Sequence, residues 1–262
     1  MSSRYFVIAG FDRSPHVSAF LQVAAQRAIA PAAVLTVRAL TAKNITALSR
    51  RLGWRGLAGK IGTVLQDQAG RPDAERAALH DWARAQGIAV DKSVSTTCRR
   101  LRLDVKRVGS FSGDASIGAW LDRGAFDFAV YLGGGILPAS FISRFGRPIW
   151  NAHQGPLPAV RGMHSVEWSA FLGEPQTVTV HQIDAGIDTG AIGFGRLVDV
   201  TGARSLTEVR GRSLVASIEA LLEVASGNGA AAPRTPQDPS GGRTYFVMHP
   251  FLTSIAQERL LR

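Results

Sequence analysis

A chain of 262 residues with 45% hydrophobic content can bury a full core, and implies one main domain with an appendage. Thirty Lys+Arg against 20 Asp+Glu give a net charge of +10, which favours anionic partners such as a phosphorylated small molecule or a nucleic acid. Cys98 is the single cysteine, which excludes an internal disulfide and a thiolate zinc cluster.

Asp12, Arg13 and Pro15 interrupt the apolar run that a signal peptide would need, and no stretch is long enough for a transmembrane helix. A soluble, cytoplasmic protein is expected. Arg4–Ala9 is a short apolar run ended by Gly10 and predicts a buried first strand. Val17, Phe20, Leu21, Ala24 and Ala28 recur at helical spacing before Pro31, and Ala33–Val37 predicts a second strand. This β-α-β opening implies a parallel sheet. Gly10 lacks the other glycines of a dinucleotide fingerprint, which argues against a nicotinamide site.

Lys43, Arg50, Arg51, Arg55 and Lys60 are interleaved with Leu48, Leu52, Trp54, Leu57 and Ile61. The pattern fits an amphipathic helix with a solvated cationic face, or a basic region beside a substrate. Glu75–Gln86 predicts a helix stopped by Gly87, and 88–94 a brief strand. Arg99–Arg102 through Lys106–Arg107 is the densest basic run, suited to phosphate contact but read first as a solvated edge. Ala115–Gly124 predicts a helix. Phe126–Leu132 predicts a central buried strand running straight into Gly133, Gly134 and Gly135. Three glycines at the carboxyl end of a parallel strand permit close approach of a planar ligand.

The stretch Asn151–Gly190 organises the chain. It begins Asn-Ala-His-Gln-Gly-Pro-Leu-Pro-Ala-Val-Arg-Gly and ends His-Gln-Ile-Asp-Ala-Gly-Ile-Asp-Thr-Gly. Asn151 and His153 are two apart, so on an extended segment both side chains project to one face. Gly155, Pro156, Pro158 and Gly162 stop the strand directly afterwards. Val178–Ile183 reads as a strand and Asp184–Gly190 as a glycine-punctuated loop. An amide, an imidazole and a carboxylate on neighbouring loops can stabilise an oxyanion, move a proton and orient the base. A rival reading makes His153, His181, Asp184 and Asp188 a zinc or iron site, but leaves Asn151 without a role. His181, inside its strand, reads as structural or pocket-lining. His164 and Trp168 have no assigned role, and Asp184 also fits a simple turn aspartate.

Asn-x-His-x-x-x-Leu-Pro-x-x-Arg-Gly followed by Asp-x-Gly-x-Asp-Thr-Gly resembles the folate-dependent formyltransferases, a family acting on methionyl-tRNA, glycinamide ribonucleotide or nucleotide sugars. The likeness covers residues 100 to 200 well and the flanks loosely. Gln154-Gly155-Pro156 departs from the usual loop beside the histidine. By motif position the resemblance implies Asn151, His153 and Asp188 as the catalytic set. It implies a site for 10-formyltetrahydrofolate formed by Gly134, Gly135, Ile136 and Leu137 together with Asp184, Gly186 and Ile187, and no metal.

Ser165–Leu172 predicts a short helix ended by Gly173, residues 191–200 a strand, and Leu206–Ala225 a long helix before a Gly227–Pro233 linker. Gln237, Tyr245, Phe246, His249 and Pro250 resemble the small C-terminal segment of the sugar formyltransferases, and the tail is too short for the additional barrel of the tRNA enzymes. The expected fold is α/β with a mostly parallel, Rossmann-like sheet. A catalytic domain over 1–204 would carry a basic helical insertion at about 40–95, and 205–262 would form the C-terminal helix, linker and tail. The expected reaction transfers a formyl group to the primary amine of an anionic small molecule, foremost a nucleotide-linked amino sugar. Glycinamide ribonucleotide, an amino acid or another metabolite amine is the alternative within the class, and a non-catalytic folate- or RNA-binding protein the alternative outside it. The expected partners include neither membrane nor nucleic acid; a homodimer is left open.

Overall fold

The computed structural model describes residues 3–10, 12, 14–37, 74–90, 93–111, 115–133, 135–238 and 240–260. The expected basic helix between Lys43 and Lys60 lies outside the described residues, as does Gly134.

The chain opens as expected. Strand β1 (Tyr5–Ala9) is buried throughout, α1 (Pro15–Gln26) begins with a proline in its first turn, and β2 (Ala33–Val37) lies parallel to β1. A proline there costs no hydrogen bond, because the first helical N–H groups have no partner within the helix. Helix α2 (Ala74–Ala85) follows, and Gly87 at φ +67° supplies the stop.

Among the described residues of 88–94 no strand is formed. Val94 instead opens α3 (Val94–Leu101), whose Ser93 cap accepts from the Thr96 N–H. The Ser-x-x-Thr start favours a helix, because the serine oxygen satisfies a donor that an extended chain would leave free. The basic run divides between two elements and lies at a solvated edge, as expected. Arg99 and Arg100 fall in the last turn of α3, where cations suit the helix dipole. Lys106 and Arg107 sit on β3 (Asp104–Val108), an edge strand parallel to β2. Charged side chains on an edge discourage pairing with other chains.

Helix α4 (Ala115–Gly124), strand β4 (Phe128–Tyr131), helix α5 (Ala139–Phe145) and strand β5 (Ile149–His153) continue the right half of the sheet. After the short β6 (Val160–Gly162) and α6 (Ser165–Leu172) come β7 (Thr177–Gln182) and β8 (Ile192–Leu197). The seven-stranded order is β3-β2-β1-β4-β5-β7-β8, parallel up to β5 and antiparallel for the last two pairings. The winding direction reverses between β1 and β4, and in such sheets ligands bind at the carboxyl ends beside the reversal.

Two cores flank the sheet. One joins Val7, Val130, Trp150, Val178 and Val180 to α1 and to Ile218, Leu221 and Leu222 of α7 (Leu206–Ser226). The other joins Phe6, Ile8, Ala129 and Ile149 to Trp120, Leu121 and Phe141 of α4 and α5. At roughly 1.5–3 kcal/mol for each fully buried large aliphatic side chain, α7 is a structural member of the first core. The segment expected as a linker is packed as well: Trp150 Nε1 donates to the Gly229 carbonyl at 2.7 Å. The tail returns as β9 (Arg243–Tyr245), parallel to β6, and ends in α8 (Pro250–Leu260) against α6.

Candidate active site

Strand pairing assembles the site. In the β5–β7 ladder Asn151 lies opposite His181 and His153 opposite Thr179. Opposed residues share a face, so all four side chains project from the same side. Their alternates Trp150, Ala152, Val178 and Val180 enter the first core. This division follows from Val-Thr-Val-His, in which the apolar residues alternate with polar ones.

Each polar group has a defined partner. His153 is buried, and its Nε2 donates to the Val160 carbonyl at 2.9 Å. Its Nδ1 faces Asp188 Oδ2 at 3.3 Å. His181 Nδ1 donates to the Gln182 carbonyl at 2.8 Å, leaving Nε2 to accept from Asn151 Nδ2 at 3.1 Å. That contact fixes which way the Asn151 amide points. Asp188 Oδ1 lies 3.6 Å from His181 Nε2, while Oδ2 also accepts from the Gly162 N–H at 2.8 Å. Asn151, His153, His181 and Asp188 therefore form one connected constellation.

Burial opposes a charged imidazole and holds His153 below the ordinary histidine range; the Asp188 carboxylate and the Val160 carbonyl pull it back up. His181 is lowered for the same reason, again opposed by Asp188. Asp188 acts on both rings in the expected direction, and the loss of solvent outweighs it.

The Asp188 loop needs its glycines. Asp188 itself adopts φ +54°, a conformation that aspartate tolerates better than most residues. A Cβ on Gly190 would stand 1.9 Å from the Gln182 carbonyl oxygen, and one on Gly186 would stand 2.1 Å from Thr189 Oγ1. The loop is also held from outside. Gln237 Nε2, from the tail, donates to the carbonyls of Asp188 and Gly190 at 2.9 and 2.6 Å.

The rival metal set does not assemble, because Asp184 Oδ1 accepts from the Gly186 N–H and from Thr189 Oγ1. No group of His, Cys, Asp and Glu among the described residues is arranged to hold a metal ion.

The residues expected at the folate lie on two loops. Ile136 is 75% exposed and Ile187 42% exposed, whereas Leu137 packs into the second core and leaves only its backbone for a ligand. Tyr131 OH fastens the first loop by donating to the Gly135 carbonyl at 2.9 Å. A Cβ on Gly133 would meet the Tyr131 ring at 2.7 Å and the Gly10 nitrogen at 3.1 Å. The loop thus presents backbone and one apolar side chain beside the reversal, which suits a flat heterocycle.

Sequence reasoning missed the part played by His181, and also Thr179, whose Oγ1 donates to the Gly155 carbonyl at 2.7 Å and accepts from Leu157 N. The signal available was the polar alternation along β7. His164 Nδ1 accepts from Met248 N at 3.4 Å. Trp168 Nε1 donates to the Phe246 carbonyl, with its ring 4.7 Å from Tyr245. Both residues brace the tail.

Residues 112–225 match the family model described as formyl transferase. The chain is 32% identical over 168 residues to the methionyl-tRNA formyltransferase of Acidiphilium cryptum (strain JF-5), covering 64% of this chain and 50% of that protein. It is 33% identical over 196 residues to the methionyl-tRNA formyltransferase of Anaeromyxobacter dehalogenans (strain 2CP-C), covering 70% and 56%. The chain thus spans about half the length of the curated relatives it matches. Among solved structures, a sugar N-formyltransferase from Shewanella sp FDAARGOS_354 superposes with a TM-score of 0.56 at 14% identity, over 98% of this chain and 88% of that one. Glycinamide ribonucleotide transformylase 1 from Symbiobacterium toebii does so with a TM-score of 0.56 at 17% identity, over 90% and 94%. At these identities the two structures show a shared fold alone, and the sequence likeness to formyl transferases centres on residues 112–225.

Proposed function

We propose that the protein transfers a formyl group from 10-formyltetrahydrofolate to the primary amine of an anionic small molecule. The observation that carries this reading is the constellation at the end of β5, within the matched region: an oriented amide, Asn151, beside a buried imidazole–carboxylate pair, His153 and Asp188.

In this reading Asn151 donates an N–H to the oxygen that becomes negative when the amine attacks the formyl carbon. His181 holds that amide in the donating orientation. A proton released by the amine is received between His153 Nδ1 and Asp188 and returned to the departing nitrogen, so the pair ends the cycle as it began. Gly135, Ile136 and the Leu137 backbone, with Asp184, Gly186 and Ile187, hold the formyl donor, whose chemistry is to present an activated one-carbon unit. No metal is required by these steps.

For the acceptor we favour a nucleotide-linked amino sugar. The net charge of +10 suits a phosphorylated substrate, and the resemblance of Gln237–Pro250 to the sugar formyltransferase tail extends past the matched region. The test supplies 10-formyltetrahydrofolate with a panel comprising a nucleotide-linked amino sugar, glycinamide ribonucleotide, amino acids and methionyl-tRNA. Mass spectrometry then reads the gain of one formyl group. Formylation of the amino sugar above the others supports the full reading, and preference for another amine replaces the acceptor. No product with any of them, together with no binding of the folate, overturns it.

A further inference from the structure

Two cavities lie away from the candidate active site, and charge separates them. The first, about 310 Å³, is lined by Arg27 and Arg196. Both are neutralised there, Arg27 by Glu219 at 2.9 Å and Arg196 by Glu223 at 2.5 Å. The second, about 440 Å³, is lined by Arg147 and Arg234, and among the described residues neither guanidinium has a partner. Its volume falls within the range of small-molecule sites.

The second cavity opens at the amino end of β5, where Arg147 and Pro148 precede the strand, whereas Asn151 stands mid-strand and His153 ends it. Its apolar wall is Ile142, Pro148, Ile149 and Ile183. Within it Gln182 Nε2 is buried and lacks a hydrogen-bond partner among the described residues. The one carboxylate on the wall, Asp127, accepts from the Arg4 N–H at 2.7 Å, so the lining keeps an excess of one positive charge. Two guanidiniums on one cavity, with Ile142, Pro148, Ile149 and Ile183 beside them, match a phosphate attached to a partly apolar body.

We propose that this cavity is a second ligand site, binding a phosphate-bearing small molecule through Arg147 and Arg234. The site is separate from the formyl-transfer centre and does not depend on the function proposed above. It is nevertheless wired to it. Arg234 adjoins Thr235, which exchanges two backbone hydrogen bonds of 2.8 Å with Ile192, and Gln237 two residues further on grips the Asp188 loop. On the other side the Gln182 carbonyl fixes the His181 ring.

Inorganic pyrophosphate is the probe, titrated calorimetrically into the intact protein. The expected result is one saturable site, weakened about tenfold or more in the Arg147→Gln/Arg234→Gln variant and retained in His153→Ala. Arg234→Glu alone provides a second variant, expected to abolish binding by charge reversal, with thermal melting confirming that each variant is folded. Absence of saturable binding, binding unchanged in both arginine variants, or loss of binding in His153→Ala, which would place the anion at the catalytic centre, overturns the proposal.

Discussion

His153 has two ring nitrogens and an acceptor in front of each. A carbonyl can only accept, so the Val160 contact keeps a proton on Nε2 and leaves Nδ1 of the neutral ring turned to Asp188 Oδ2. The pair therefore offers a place where one added proton is held from both sides, and burial keeps that proton labile by disfavouring the cation. If His153 receives the amine's proton, His153→Ala lowers kcat by about 10²–10⁴-fold while folate binding stays near normal. Near-wild-type turnover would remove the ring from the mechanism. Asp188→Asn tests the partner. The carboxylate raises the histidine's ionisation against burial, so removing its charge moves that ionisation further below the reference of about 6.5. The acidic limb of kcat then shifts to lower pH, and the limb set by the amine itself stays with the acceptor used. A profile and rate identical to wild type would reduce Asp188 to a turn residue.

Between elements, the site depends on chain segments far apart in sequence. Strand β9 pairs with β6 and brings the tail against the loop that carries Asp188, and Gln237 then bonds two of that loop's carbonyls. At about 0.5–1.5 kcal/mol for each hydrogen bond, Gln237→Ala is expected to cost about 1–3 kcal/mol in chemical denaturation and to lower kcat about tenfold. An unchanged kcat would detach the tail from catalysis. Gly162→Ala is harsher, since a Cβ would stand 2.2 Å from the Tyr245 carbonyl oxygen at a backbone φ of +91°; a drop in melting temperature larger than that of Gln237→Ala is expected. This dependence explains what the sequence made legible. Strands β1, β2, β4, β5 and β7 carry their own apolar runs, and Asn151, His153 and Asp188 carry a motif. Strands β6 and β9 are three residues each, too short for a periodic signal, and exist because they pair with each other. His181 looked structural because its partner Asn151 lies across a strand pair. Helix α3 was obscured by its arginines, although the Ser93 cap and the place of Arg99 and Arg100 in the last turn both favour a helix.

At the scale of the whole molecule, three histidines bear on stability with pH. His153 and His181 are buried and His16 is partly so, and burial lowers the ionisation of all three. Above pH of about 6.5 they are neutral in both folded and unfolded chains and contribute no difference. As pH falls below that value the unfolded chain takes up protons that the folded one resists, so stability is lost, by about 1.4 kcal/mol per pH unit for each group fully within its window. A domain whose whole stability is about 5–15 kcal/mol responds visibly, and the melting temperature is expected to fall between pH 7.5 and 5.5. The net charge of +10 supplies a competing cause, because added protons also increase self-repulsion. Salt separates the two: exposed charges are screened within about 10 Å at 0.1 M, whereas a buried ring is not. The acid loss should therefore persist in salt. It should shrink in His16→Gln, which keeps a donor for the Leu132 carbonyl that His16 Nε2 contacts at 2.9 Å and removes one titrating group. A melting temperature flat over this range, or an acid loss that salt abolishes, would show that solvent reaches these rings and that burial does not set their charge.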